Sequence, residues 1–325
     1  MNRREFIALI GGVAGWPLAA RAQQSRTPVV GWLHSASAGF TVHLVAAFRK
    51  GLSEAGFVER QNVLIEYRHA NGQYDKLSGM AGELARRHVD VIFAGSPPAA
   101  LAAKVATTTI PIVFVVGLDP VAAGLVGSFN RPGGNATGIT MITGPLAQKR
   151  LEILRELLPK AANIMMLINP NTPDAAPEIR DVQAAAQANG FSITILNATT
   201  VSELEDVFKV LAEKRPDALL VGSDPFFVSR SDQFAKLASQ AKIPTIYPFR
   251  ETTDVGGLIS YGTNIPNAYR QGGILIARIL KGEKASDLPV QQPTKFELVI
   301  NLKAAKAIGL TVPPSLLSRA DDVIE

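Results

Sequence analysis

Two turns of the chain carry small polar residues at the point where an aliphatic run stops. Asp90–Pro98 reads DVIFAGSPP and Asp217–Pro225 reads DALLVGSDP, so each has an Asp, an aliphatic-rich run, Gly-Ser, one variable residue and Pro. In a strand-to-helix turn of this composition Gly lets the backbone leave closely, Ser caps the helix and Pro suits its first turn. Amides at such a helix start hold an anion such as a carboxylate. The variable residue of the second copy is Asp224. A carboxylate facing a cleft must be paired or solvated, and a cationic group on a ligand is one way to pair it. Capping a helix is the other reading, and both readings apply equally to Asp119 in its Asp-Pro turn. If Asp224 serves the ligand alone, Asp224→Ala weakens binding and leaves the melting temperature of the empty protein unchanged. Phe226 and Phe227 follow at once and supply either an apolar wall or core, with Tyr247, Phe249 and Tyr261 as further aromatic candidates. Arg250, after IPTIYPF, suits bidentate binding of a carboxylate or a surface pair with Glu251 or Asp254. Asn169 and Asn171 flank Pro170 and fit a ligand contact or an ordinary turn.

Catalytic chemistry finds less support. The sequence has no G-x-x-x-x-G-K-[ST], no H-E-x-x-H and no G-x-S-x-G; GLISYG has one residue too many for the last. With no cysteine there is no disulfide framework, thiol nucleophile or Cys zinc site. Histidines at 34, 43, 69 and 88 show no metal spacing, and His34 reads as a hydrogen-bonding residue. The net charge of +5 is scattered along helices beside acids, as in KRLEILRELLPK, which is solvated surface and not a nucleic-acid arm. Neither a cofactor nor a metal is expected.

Such turns need strands and helices to hold them, and the chain supplies these twice over. VDVIFAG, IPIVFVVG, ANIMMLIN, PDALLVG and IPTIYPF are near-continuous apolar runs, as in parallel strands covered on both faces. Between them AAFRKGLSEAGF and IRDVQAAAQANGF are matching helices closed by a Gly, and Leu77, Met80, Ala81 and Leu84 form one helical stripe. The fold class is therefore α/β, with two Rossmann-like lobes of parallel sheet flanked by helices and a multi-strand hinge between them. We place lobe 1 at residues 23–139 plus about 262–288, and lobe 2 at 140–261 plus about 289–325. Residues 1–22 have the charged start, short apolar stretch and Ala20-Arg21-Ala22 site of a secretory signal, with Arg3-Arg4 suggesting twin-arginine export. Cleavage after Ala22 would leave a periplasmic protein.

Several longer stretches resemble one family. AAFRKGLSEAGFVERQNVLIEYR, GQYDKL, DPVAAGLVGSFNRPGGNATGIT, KRLEILRELLPKA, YGTNIPNAYRQGG and LPVQQPTKFELVINLKAAKAIGLTVP are similar to the periplasmic solute-binding proteins of ABC importers, of the tryptophan/tyrosine type with the type I periplasmic-binding fold. The resemblance implies a non-enzymatic, monomeric, two-lobed protein that carries a small organic solute to a membrane permease driven by a separate ATPase. It implies ligand contacts at His34, Ser35 and Ser37 after the first strand, at Gly95 and Ser96, and at Asp119. In an amino-acid binder the helix-start amides and Ser96 would take the α-carboxylate, and Asp119 or Asp224 the ammonium. Relatives that bind aromatic amino acids carry a polar Asp-Asn turn where this chain has Asp224-Pro225-Phe226-Phe227, a departure that argues against tryptophan or tyrosine. Presentation of the solute to a membrane sensor is the alternative output, and an exported α/β enzyme a more distant one.

Overall fold

The computed structural model describes residues 26–141 and 144–325. The signal segment read at residues 1–22 lies outside them. The first half of the chain builds β1 (Val29–His34), α1 (Val42–Glu54), β2 (Leu64–His69), α2 (Lys76–Arg86), β3 (Val91–Ala94), α3 (Pro97–Ala106), β4 (Ile112–Val116) and β5 (Ala136–Thr140). Its strands lie in the order β2-β1-β3-β4-β5, and every pair is parallel. β3 and β4 are buried along their whole length, which is why they read as unbroken apolar runs.

The second half repeats the scheme with α4 (Gly144–Leu157), β6 (Asn163–Ile168), α5 (Ala175–Ala188), β7 (Ser192–Asn197), α6 (Val201–Lys214), β8 (Ala218–Val221), α7 (Pro225–Val228), α8 (Ser231–Ala241), β9 (Thr245–Tyr247), α9 (Arg250–Asp254) and β10 (Ile259–Thr263). The order β7-β6-β8-β9-β10 mirrors the first sheet. In both sheets the order reverses beside the first strand of the half, so a crevice opens at the carboxyl ends of β1 and β3 and of β6 and β8. The matching helices α1 and α5 end alike, followed by Gly56 at φ +91° and Gly190 at φ +70°, a left-handed region glycine enters without strain.

The chain then returns to the first sheet. α10 (Ile265–Leu280), started by an Asn264 cap on the Asn267 N–H, packs against α1. Val290 and Gln291 bond to Phe129 and Gly138 of the first half before the chain crosses again. β11 (Phe296–Asn301), α11 (Leu302–Ala307), α12 (Pro314–Leu317) and β12 (Asp322–Ile324) follow, with β11 antiparallel to β10 and β12 parallel to β11. Among the described residues, segments at 263–265 and 291–296 join the halves. Each sheet has an apolar cluster on either face, anchored by Phe48 and Phe93 on one side of the first and Phe114 on the other. A fully buried side chain of this size contributes about 2–3 kcal/mol of transfer free energy, so the sheets position the strand-end turns firmly. Among the described residues no helix is long and apolar enough to cross a membrane, and no group of His, Cys, Asp or Glu could hold a metal ion.

Candidate ligand-binding site

Strand ends from both halves contribute to the wall of one cavity. His34 ends β1, Gly95, Ser96 and Pro97 form the turn from β3 into α3, and Ser223, Asp224 and Pro225 form the turn from β8 into α7. The two Gly-Ser turns therefore meet across it. Phe40, Leu44, Val115, Val228, Phe249 and Ile265 make most of the remaining wall apolar.

The turns do not work as their composition suggests. Ser96 is the N-cap residue of α3, yet its hydroxyl makes no capping bond. Pro97 and Pro98 occupy the first helical positions and have no N–H to give, so the expected cluster of anion-binding amides is reduced. The Ser96 hydroxyl is left buried on the cavity wall, without a hydrogen-bond partner among the described residues. In the second turn the cap is Asp224, whose Oδ1 accepts from the Phe226 N–H at 2.8 Å. The capping reading of Asp224 holds, and the same carboxylate also lines the cavity. Truncating it removes a cap worth on the order of 1 kcal/mol, so Asp224→Ala is expected to lower the melting temperature as well as binding, contrary to the simpler expectation.

Asp224 has two further donors. Asn169, at the end of β6, gives its Nδ2–H at 3.1 Å. Tyr74, in the loop between β2 and α2 of the other half, gives its hydroxyl to Oδ1 and Oδ2, both at 3.1 Å. Burial raises the Asp224 carboxyl to about 6 despite these donors. Asp174, just before α5, is a second buried carboxylate on the wall; Thr172 donates to its Oδ1 at 2.8 Å, and burial pushes it up. Behind them Glu178 accepts from the Ser223 N–H at 3.2 Å and is raised by burial to about 7. The field of Arg150 opposes that rise, and burial lowers Arg150 itself to about 10. Arg150 donates through Nε to the Tyr261 carbonyl at 2.9 Å.

On the opposite wall the Ala36 N–H donates to His34 Nδ1 at 2.9 Å, which puts the ring proton on Nε2. Nε2–H then donates to the Tyr269 hydroxyl at 2.8 Å, and that hydroxyl donates to the Gly95 carbonyl. Burial, aided by His69 and His43, lowers His34 to about 3, so the ring is neutral. It orients the turn and offers the cavity no charge.

Of the residues read from sequence, His34, Gly95, Ser96, Asp224 and Phe249 line the cavity, and Asn169 supports it through Asp224. The others are held elsewhere. Asp119 is exposed and its Oδ1 takes the N–H groups of Val121 and Ala122, which makes it a turn cap. Arg250 is bound by Asp254 and Asp322 at an edge of the second sheet. Tyr247 is fully buried against Phe234, and Phe226 lies in the same core beneath the Arg230 guanidinium, 4.0 Å from its ring centroid. Tyr261 packs on the other face of the second sheet, near Phe296. Asn171 is exposed and donates its N–H to Asn169, Ser37 accepts from the Phe40 N–H, and buried Ser35 is not part of the wall. Sequence reasoning missed Asp174, Tyr74 and Tyr269. Asp174 had a signal, its place after a strand end, whereas nothing local marks Tyr74 or Tyr269.

The family model described as ABC transporter substrate binding protein matches residues 40–324. A tyrosine-binding protein from Clostridioides difficile is 29% identical over 263 residues, 81% of this chain and 75% of that one. The crystal structure of an ABC domain in complex with L-Trp from Streptococcus pneumoniae is 26% identical and superposes with a TM-score of 0.84 over 92% of this chain and 100% of that one. The ligand-free, open structure of a substrate-binding protein with adhesive properties from Clostridium difficile is 28% identical, covers 92% of this chain and 99% of its own, and reaches a TM-score of 0.65.

Proposed function

Because the chain belongs to the ABC transporter substrate-binding protein family, we propose that it is the periplasmic, monomeric solute-binding component of an importer, closing on a small organic solute and delivering it to a membrane permease. The observation that carries this reading is the cavity itself. Its walls come from both halves, it is mostly apolar, and it holds two buried carboxylates and a free buried hydroxyl. An amino acid suits such a wall, with its ammonium set on Asp224 and Asp174 and its side chain against the apolar residues. The greater likeness to the L-Trp complex than to the ligand-free open structure, at equal coverage, supports reading the present arrangement as the closed form. The reading assigns no catalytic residue.

The test is a thermal-shift screen of the refolded protein against amino acids, carboxylates, sugars and nucleosides. A ligand at about 100 times its Kd adds about 2.7 kcal/mol, enough to raise Tm by a few degrees. Deleting the gene should then abolish cellular uptake of the compound that shifts the melt. Binding with uptake intact would remove the importer half of the reading, and silence across every class would remove all of it.

A further inference from the structure

The cavity is rich in acceptors and poor in donors, an imbalance that deepens the reading just given and rests on it. On the first wall both His34 ring nitrogens are used, one by the Ala36 N–H and one by Tyr269. The Tyr269 hydroxyl gives its proton to the Gly95 carbonyl. Pro97 and Pro98 withhold two helix-start N–H groups. Among the described residues no Lys or Arg lines the cavity, and the Ser223 N–H is taken by Glu178. Among the described residues, the side-chain donors left are the Ser223 and Ser96 hydroxyls, the latter on a residue 2% exposed and without a partner.

The acceptors are better supplied. Asp224 Oδ1 serves Asn169, the Phe226 N–H and Tyr74, whereas Oδ2 accepts only from Tyr74. Asp174 takes a hydroxyl at Oδ1. An ionised carboxylate offers about four lone-pair sites, so both acids keep open positions. A primary ammonium has three N–H groups and no acceptor. The wall carries Asp224, Asp174 and the Ser96 oxygen as acceptors for such a group, with two negative charges. A ligand carboxylate in the same space meets two hydroxyls, two like charges and no cation, which is an unfavourable way to bury it.

We propose that the cleft recognises its solute through a protonated amine, so that the ligand class is small apolar primary amines, with an α-carboxylate tolerated but not required and simple carboxylates refused. The free hydroxyl of Ser96, aligned with neither a cap nor a neighbour, completes the ammonium site. The apolar wall takes the rest of the molecule.

Titration calorimetry on the refolded protein with two matched triads tests this: isoamylamine, leucine and isocaproate, then phenethylamine, phenylalanine and phenylpropanoate. In at least one triad the amine should bind as tightly as the amino acid or more so, with no heat from the acid. Asp224→Asn should weaken the amine by about tenfold or more, since it removes the charge and keeps the shape. An amino acid tighter than its amine by about tenfold, or binding of the acid, overturns the inference and leaves solute binding intact. So does a screen in which only sugars or nucleosides shift the melt. Silence of both triads and of the whole screen overturns the inference together with the reading beneath it.

Discussion

Asp224 accepts from a helix N–H, an amide and a phenol while facing the cavity, so its ionisation acts on folding and on binding in opposite senses. Burial holds its carboxyl at about 6, above the 3.8 of an unfolded Asp. A raised carboxyl contributes stability that is complete below the unfolded value and is lost as pH rises through the folded one. An ammonium ligand needs the ionised form, so it binds best where the empty protein has lost that contribution. Between pH 7 and pH 5 we expect the Kd of an amine-bearing ligand to rise about tenfold, read by calorimetry, and Asp224→Asn to bind weakly at both pH values with a much shallower slope. Tyr74, Arg230, Asp174 and Glu178 surround the carboxyl, and Glu178, at about 7, adds to the same trend. A Kd that is flat with pH in the wild type would mean that Asp224 does not pair with the ligand. At this scale sequence identified Asp224, Ser96 and His34 by residue type and by place after a strand. It left the cap and the ligand contact as alternatives, because a single carboxylate can satisfy both.

Among elements, the meeting of α1 and α10 fixes how the returning chain sits on the first sheet. A Cβ on Gly51 would lie 1.9 Å from the Arg270 carbonyl oxygen, and one on Gly273 would lie 2.2 Å from that of Phe48. The helices touch backbone to backbone, and Tyr269, one turn away from Gly273, is thereby brought to His34. Gly273→Ala should cost about 1–3 kcal/mol or more through overpacking, read as a fall in Tm of the empty protein. An unchanged Tm would show that the helices can separate without loss. The apolar residues of α10 and its Asn264-Ile265-Pro266 start are ordinary helix signals. Its glycines carry no such message, since a glycine in a helix signals close approach only once its neighbour is known.

Across the whole molecule, the Tyr74–Asp224 bond joins the halves directly. It sits beside the cavity, apart from the connections at 263–265 and 291–296. Tyr74→Phe keeps the ring and removes the donor, so it should cost the closed form about 1 kcal/mol. We expect a larger radius of gyration for the empty variant in solution scattering and several-fold faster ligand release. Identical scattering and release rates would reduce the bond to a passive contact. The sequence by itself determined the α/β class, the repeated halves and the strand-end turns, because apolar runs, helix stripes and Gly stops are set by neighbours a few residues apart; the family came from the resemblance of longer stretches. Only the tertiary structure decided that Asp224 faces Tyr74, that Asp119 turns outward to its own amides, and that Arg250 is held by Asp322 from the far end of the chain. These outcomes depend on which charged group arrives from a distant segment, and no local spacing encodes that meeting.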